Sequence, residues 1–301
     1  MSSSALYDKF WKRKYELVIT KKGLTIFKCS ELDIKFEIER LFTTHICESK
    51  ISILGISRET MNPIIKVARE VFMKAAEMEI EIDLCAGYGD GPVSSIFRGF
   101  VIDAKADVPP DMWLHLTCVN YCDVGTKAFS VSVCPPRSYG ITYLDVAKTV
   151  AKECGFSGVD YSLYTQPSIS VGEQLKSSFV VSGTRQRIIN ALSSLHSDKW
   201  KIAVDMNVLK IMDRTPKYSK NPFVLNAESG LLAVTNVDFI GCYVTTFLQD
   251  LPANQLWVRV ESKNNPGAND VFAILSKKFV GHYRGNKWNT VFELYLRGQM
   301  T

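Results

Sequence analysis

The segment "LDIKFEIER" (residues 32–40) constrains this chain most, because Leu32, Ile34, Phe36 and Ile38 alternate with polar or charged residues. Side chains on a strand point alternately to its two faces, so a period of two fixes a strand with one apolar and one wetted face. The pattern has company on both sides. "YELVITKKGLTIFKC" holds two β-rich runs around Lys21, Lys22 and Gly23, a hairpin with glycine supplying the turn. "HICESKISILGIS" is a further strand, and Ser57, with Thr60 nearby, can cap a helix that continues through "RETMNPIIKVAREVFMKAA". Pro63 requires that helix to begin near it or to kink there. "EIEIDLCAGYGDGPVSSIFRGFVIDAKADV" then returns to strand, loop and strand.

The middle third changes character. "MWLHLTCVNY" and "AFSVSVCPP" read as strands, the second broken by Pro135 and Pro136. "SYGITYLDVAKTVAKECGFSG" predicts a helix with Thr142 as N-cap, an apolar face of Leu144, Val146, Ala147, Val150 and Ala151, and Gly155 as the stop. A second helix is predicted from about Thr184 to His196, then two short strands joined by Asn207. From residue 214 the chain is β again. Thr215, Pro216, Asn221 and Pro222 mark a linker, "AESGLLAV" a turn, and four runs follow: Phe239–Phe247, Leu256–Ser262, Val271–His282 and Thr290–Arg297. The expected architecture is mainly β with an α+β insert, divided into residues 1–108, 109–213 and 214–301.

Composition narrows the function. At 301 residues, 46% hydrophobic and 22% charged, the chain suits two or three globular domains, and no apolar run approaches the roughly 20 residues a spanning helix needs. The first residues lack the order of charge, apolar block and cleavage site of a signal peptide, so synthesis and folding in a cytoplasm are expected. Cys29, Cys47, Cys85, Cys118, Cys122, Cys134, Cys154 and Cys242 are spread through strand-like stretches and read as small buried hydrophobes. Cys118 and Cys122 invite a zinc reading, but only Cys134 lies near, so no metal site is expected. The net charge of +5 is mildly basic and concentrates only in "KFWKRKYE" (residues 9–16).

Catalytic handles are absent. Neither "GxSxG" nor "HExxH" occurs, and Ser, His and Asp standing together in "SSLHSDKW" do not make a triad, which is assembled in space. Gly87, Gly89 and Gly91 resemble part of a phosphate loop, yet Pro92, Val93 and a strand follow where a helix should open. Glu79, Glu81 and Asp83 alternate along one strand and form a wetted face. Of His45, His115, His196 and His282, His196 suits the dipole at a helix C-terminus, and His282 falls in "FVGHYRGNKWNTVFELYLRG", a closing hairpin whose turn is Arg284–Lys287. No catalytic, cofactor-binding or metal-ligating set is expected, and the chain is read as non-enzymatic.

The order of parts carries more than any motif. The opening "Y-x-L-x-I", "LDIKFEIER", the strand ending "ISILGIS", a helix, "IEIDLCAGYGDGPVSSIFRGFVIDA", the helix "TYLDVAKTVAKECG", "ESGLLAVTNVDFIGCYVTTFLQDLPANQLWVRVESK" and the closing "GHYRGNKWNTVFELYLRG" together resemble the baseplate hub proteins of bacteriophage tails, over nearly the full chain. Leu54 to Ser57, Ala86 to Tyr88 and Ile96 to Val101 stand at the family's strand end and hairpin. The resemblance implies an N-terminal tail-tube-like β-barrel, a small α+β middle domain and a C-terminal β-barrel. It also implies a homotrimer, a ring joining the hexameric tail tube, or a tube-initiator protein, to the trimeric central spike of a contractile injection machine. Wedge and tape measure proteins are further implied partners, DNA a transient one during ejection, and the virion tail baseplate the location, with assembly in the host cytoplasm and no membrane or cofactor. Two alternatives stay open: a carbohydrate-binding or peptidoglycan-degrading tail component, suggested by Trp113, Trp257 and Trp288, and a nucleic-acid module built on Lys12, Arg13 and Lys14.

Overall fold

The computed structural model describes residues 12–41, 47–74, 80–89, 93–120, 128–134, 140–163, 175, 177–195, 199–213, 221–235, 237–238, 240–251 and 257–296, with the backbone alone for 71–74. Its contacts fall into two compact units. One holds Met1–Arg40, Cys47–Asn120 and Ser219–Thr301, the other Leu41–Ile46 and Tyr121–Tyr218. The described residues are mainly strand, with three α-helices.

The first unit is built on strands β1 (Arg13–Lys21), β2 (Leu24–Cys29), β3 (Ile34–Leu41), β4 (Glu48–Leu54), β5 (Ile80–Tyr88), β6 (Ser94–Ala106) and β7 (Trp113–Val119), with helix α1 (Arg58–Lys74) between β4 and β5. The alternation expected of β3 is present, since Ile34, Phe36 and Ile38 are buried while Lys35, Glu37 and Glu39 are exposed. Lys22 and Gly23 both take positive φ, the conformation a two-residue hairpin between β1 and β2 demands. Ser57 caps α1, accepting from the Thr60 N–H at 3.3 Å, and the helix starts at Arg58, five residues before Pro63. Met61, Ile64 and Ala68 then bury one face of α1 in the core shared with Leu17, Ile51 and Phe97.

The boundary expected after residue 108 divides β6 from β7. These strands pair from Phe100↔Val119 to Ala106↔Leu114, so the sheet continues across it. The C-terminal region supplies β13 (Phe223–Leu225), β14 (Leu231–Thr235), β15 (Gly241–Phe247), β16 (Trp257–Val260), β17 (Val271–His282) and β18 (Trp288–Leu296). "AESGLLAV", read as a turn, is a turn only to Gly230 and then becomes β14; its side chains are largely exposed, so it lacks the apolar alternation that marks β3. The two β-rich regions form one 13-stranded sheet, ordered β14-β15-β18-β17-β3-β4-β7-β6-β5-β1-β2, with β16 on β17 and β13 on β16. The β3–β17 pair joins them.

The second unit contains β8 (Phe129–Val133), α2 (Tyr143–Cys154), β9 (Gly158–Leu163), β10 (Phe179–Gly183), α3 (Arg185–Ser194), β11 (Trp200–Asp205) and β12 (Val208–Asp213). Thr142 and Asp145 form a capping box at the start of α2, and Gly155 ends it at φ 73°, as the sequence predicts. Thr184 caps α3. Val146, Val150, Ile188, Leu192 and Trp200 make a core separate from that of the first unit. β11, β12 and β9 form one sheet and β8 with β10 another. The Lys210–Asp205 ion pair, 2.8 Å long with both side chains under a tenth exposed, closes the β11–β12 hairpin.

Candidate functional site

Polar side chains of the first unit gather where its two β-rich regions meet, on the closing hairpin between β17 and β18. His282 Nε2 lies 3.1 Å from Asp33 Oδ2, and the Arg284 N–H donates to the other Asp33 oxygen at 3.2 Å. From β1, Arg13 Nη1 donates to the carbonyls of His282 (2.8 Å), Tyr283 (3.2 Å) and Gly285. The Arg13 guanidinium also lies 5.7 Å from the centre of the Trp288 ring. Trp288 packs edge-on against Phe36, and its indole N–H donates to the Gly87 carbonyl at 3.3 Å.

Tyr88 bridges the same join. Its hydroxyl donates to the Trp288 carbonyl at 2.8 Å and accepts from the Leu248 N–H at 3.0 Å. Burial pushes its pKa up to about 12, so the donating proton is retained. His282 therefore belongs to a structural latch, in which an acid orients the ring and the turn carbonyls hold a cation.

A second cluster lies elsewhere on the join. Asp250 accepts from Arg40 Nη1 and from Lys277 Nζ, each at 2.7 Å, and the two basic side chains are 9% and 3% exposed. Burial by itself would raise the Asp250 carboxyl, but Arg40 and Lys277 outweigh it and hold the group below the usual carboxylate range. Arg40 comes from β3 and Lys277 from β17, so the shared carboxylate fastens the two strands where the regions join.

Residues the sequence left apart form a third arrangement. Ser52 Oγ lies 2.9 Å from His115 Nδ1, and His115 Nε2 lies 3.0 Å from Asp107 Oδ2. The order is that of a hydrolase relay. Ser52 and His115 are cross-strand neighbours on β4 and β7, however, and both His115 and Asp107 are about half exposed. An open sheet face neither excludes water nor supplies a preorganised oxyanion donor, so the trio works as a surface polar ladder.

The remaining sequence candidates separate. Trp257 and Trp288 are 5% and 2% exposed, so neither offers a sugar-stacking face, while Trp113 lies beneath Lys35 Nζ at 4.0 Å. Gly87 lies in β5 and Gly89 follows it at φ 61°. Burial raises the Cys118 thiol far above its ordinary value, and no metal-binding group of His, Cys, Asp and Glu occurs among the described residues. His45, Glu79, Gly91, Cys122 and His196 lie outside the described residues. No helix among the described residues is long and apolar enough to cross a membrane.

The main path of the sheet also has two ends. β2 pairs only with β1 and β14 only with β15, leaving one edge of each without a partner among the described strands. Leu24 and Ile26 on β2 are 75% and 37% exposed, and Leu232 on β14 is 42% exposed. Unpaired, partly apolar edges are ready templates for another strand.

Comparison with known proteins bears out the family resemblance. A family model described as "Baseplate hub gp41" matches residues 17–291. Among solved structures, a tail protein from Neisseria meningitidis MC58 aligns at 12% identity and TM-score 0.58, over 94% of this chain and 97% of that one. The 43 kDa tail protein of prophage MuSo2 from Shewanella oneidensis aligns at 12% identity and TM-score 0.55, over 93% and 97%. The E. coli c3393 protein, described as a type VI secretion component similar in structure to T4 tail proteins gp27 and gp5, aligns at 10% and 0.55, over 94% and 77%. At such identities the likeness is one of fold. No match is found among curated proteins.

Proposed function

The chain belongs to the baseplate hub gp41 family, and from that premise we propose that three copies form a ring joining a hexameric tail tube to a trimeric central spike. The observation that carries the proposal is the 13-stranded sheet built from two β-rich regions, with an edge at each end of its main path that has no partner among the described strands. Three such chains present six β-rich regions in alternation. That number meets sixfold symmetry on one side and threefold on the other, which one region per chain cannot do. Pairing β2 of one copy with β14 of the next would continue the sheet and cover Leu24, Ile26 and Leu232, removing the hazard of open edges.

In this reading the chain is structural and has no catalytic function of its own. It resides in the tail baseplate of a virion and contacts the tube or its initiator, the spike and surrounding wedge or tape measure proteins. DNA passes it without lasting attachment, since tight binding would hinder ejection. Light scattering of the purified chain, alone and mixed with a central spike protein, tests the ring. A trimer, or a monomer that becomes trimeric with the spike, is expected; a monomer indifferent to tail proteins overturns the proposal.

A further inference from the structure

At the turn end of the closing hairpin a groove of about 750 Å³ opens between the start of β1, the end of β5 and β14. Its floor is apolar. Phe247 meets Tyr88 edge-on with ring centres 6.1 Å apart, and Leu232 stands beside them, 42% exposed. Its rim is cationic, because Lys12, Arg13 and Arg284 line it and no acidic side chain among the described residues does. Arg13 is held by main-chain carbonyls, and no carboxylate among the described residues pairs with it. Lys12 and Arg284 are exposed and enter no ion pair among the described residues; Asp33 is engaged by His282 and by the main-chain N–H of Arg284.

We propose that this groove binds an extended acidic peptide segment of a partner protein. One aliphatic side chain rests on Phe247 and Leu232, and flanking carboxylates pair with Lys12 and Arg284. The free edge of β14, which carries Leu232, offers main-chain donors and acceptors for the same segment to add as a strand. Charge complementarity selects the acid, since three cations converge with no counter-ion among the described residues. A nucleic acid would also answer to the charge, but it gains affinity by stacking bases on open rings. Here Trp288 is 2% exposed and the Tyr88 hydroxyl is fixed by two main-chain bonds, so such a platform is lacking. The inference uses the first unit alone; the segment and β2 of a neighbouring copy would compete for the β14 edge, so it concerns the chain before the ring closes.

Fluorescence anisotropy on the full chain tests it, with a labelled hexapeptide alternating aspartate and leucine as the probe. The control peptide carries asparagine for aspartate, and a short oligothymidylate serves as the competitor. The acidic peptide should bind, more weakly as salt rises, and Lys12→Glu with Arg284→Glu should reduce its affinity at least about tenfold, the loss of one good charge-assisted contact. Leu232→Asp, exposed and remote from those cations in sequence, should also weaken it while leaving the circular dichroism spectrum unchanged. Equal binding of the asparagine peptide, indifference to the charge reversals, or displacement by oligothymidylate at lower concentration would each overturn the proposal. So would binding that appears only after residues 1–11 are removed, which would make the chain's own N-terminal segment the occupant.

Discussion

Replacing Asp250 by Asn should damage this fold more than any other single polar substitution in the first unit. The carboxylate contacts Arg40 and Lys277 at 2.7 Å each, and their side chains are 9% and 3% exposed. Asparagine keeps the shape but removes the charge, leaving two buried cations beside each other. Breaking a buried pair by removing one partner costs about 3–5 kcal/mol. With a urea dependence of about 1–3 kcal/mol per molar, the unfolding midpoint of this unit should fall by at least about 1 M. Adding Lys277→Met to Asp250→Asn should restore much of the loss, because one of the two buried cations goes with it. The Asp250 carboxyl titrates below its ordinary value, so its stabilisation is complete above the unfolded value of about 3.9 and is lost as pH falls through the folded one. The penalty of Asp250→Asn should therefore be constant from neutral pH to about pH 5 and shrink in stronger acid. A cost below about 1 kcal/mol, typical of exposed pairs, would mean that Asp250 does not hold two desolvated cations.

Arg13→Ala should destabilise the closing hairpin by about 1–3 kcal/mol by stripping the turn carbonyls of their donor, seen as faster amide exchange at residues 282–288. Gly281→Ala would place a methyl 2.1 Å from Cζ of Phe36, and overpacking of this kind costs about 1–3 kcal/mol in thermal unfolding. Ile26→Lys and Leu232→Lys, both at sheet edges, should change monomer stability by less than about 0.5 kcal/mol yet abolish assembly in light scattering. Ser52→Ala should leave assembly and stability close to wild type, and a fluorophosphonate probe should fail to label Ser52; labelling would mean the trio with His115 is a working relay.

Much of the fold was legible because it is encoded locally. Ile34, Phe36 and Ile38 announce β3 by their spacing, and Thr142 and Gly155 bracket α2 by chemistry confined to a few residues. β14 was invisible for the same reason in reverse: an edge strand with exposed side chains carries no apolar alternation. The latch was beyond sequence reach altogether. Asp33 and His282 stand 249 residues apart, and Arg13 stands 269 from the nearest carbonyl it binds, so only the β3–β17 pairing brings them together. Burial of Trp257 and Trp288 likewise depends on which sheet face each occupies, which composition does not reveal. The charge of "KFWKRK" was plain, but the meeting of its Lys12 and Arg13 with Arg284 across the groove was not.

The most direct test of the central claim is the rotational symmetry of the assembled particle, seen end-on by electron microscopy of the chain alone or bound to its spike. A closed ring of three chains is expected, its β-rich regions appearing as six lobes around an open centre. A ring of any other copy number, or three chains showing only three lobes, would contradict it.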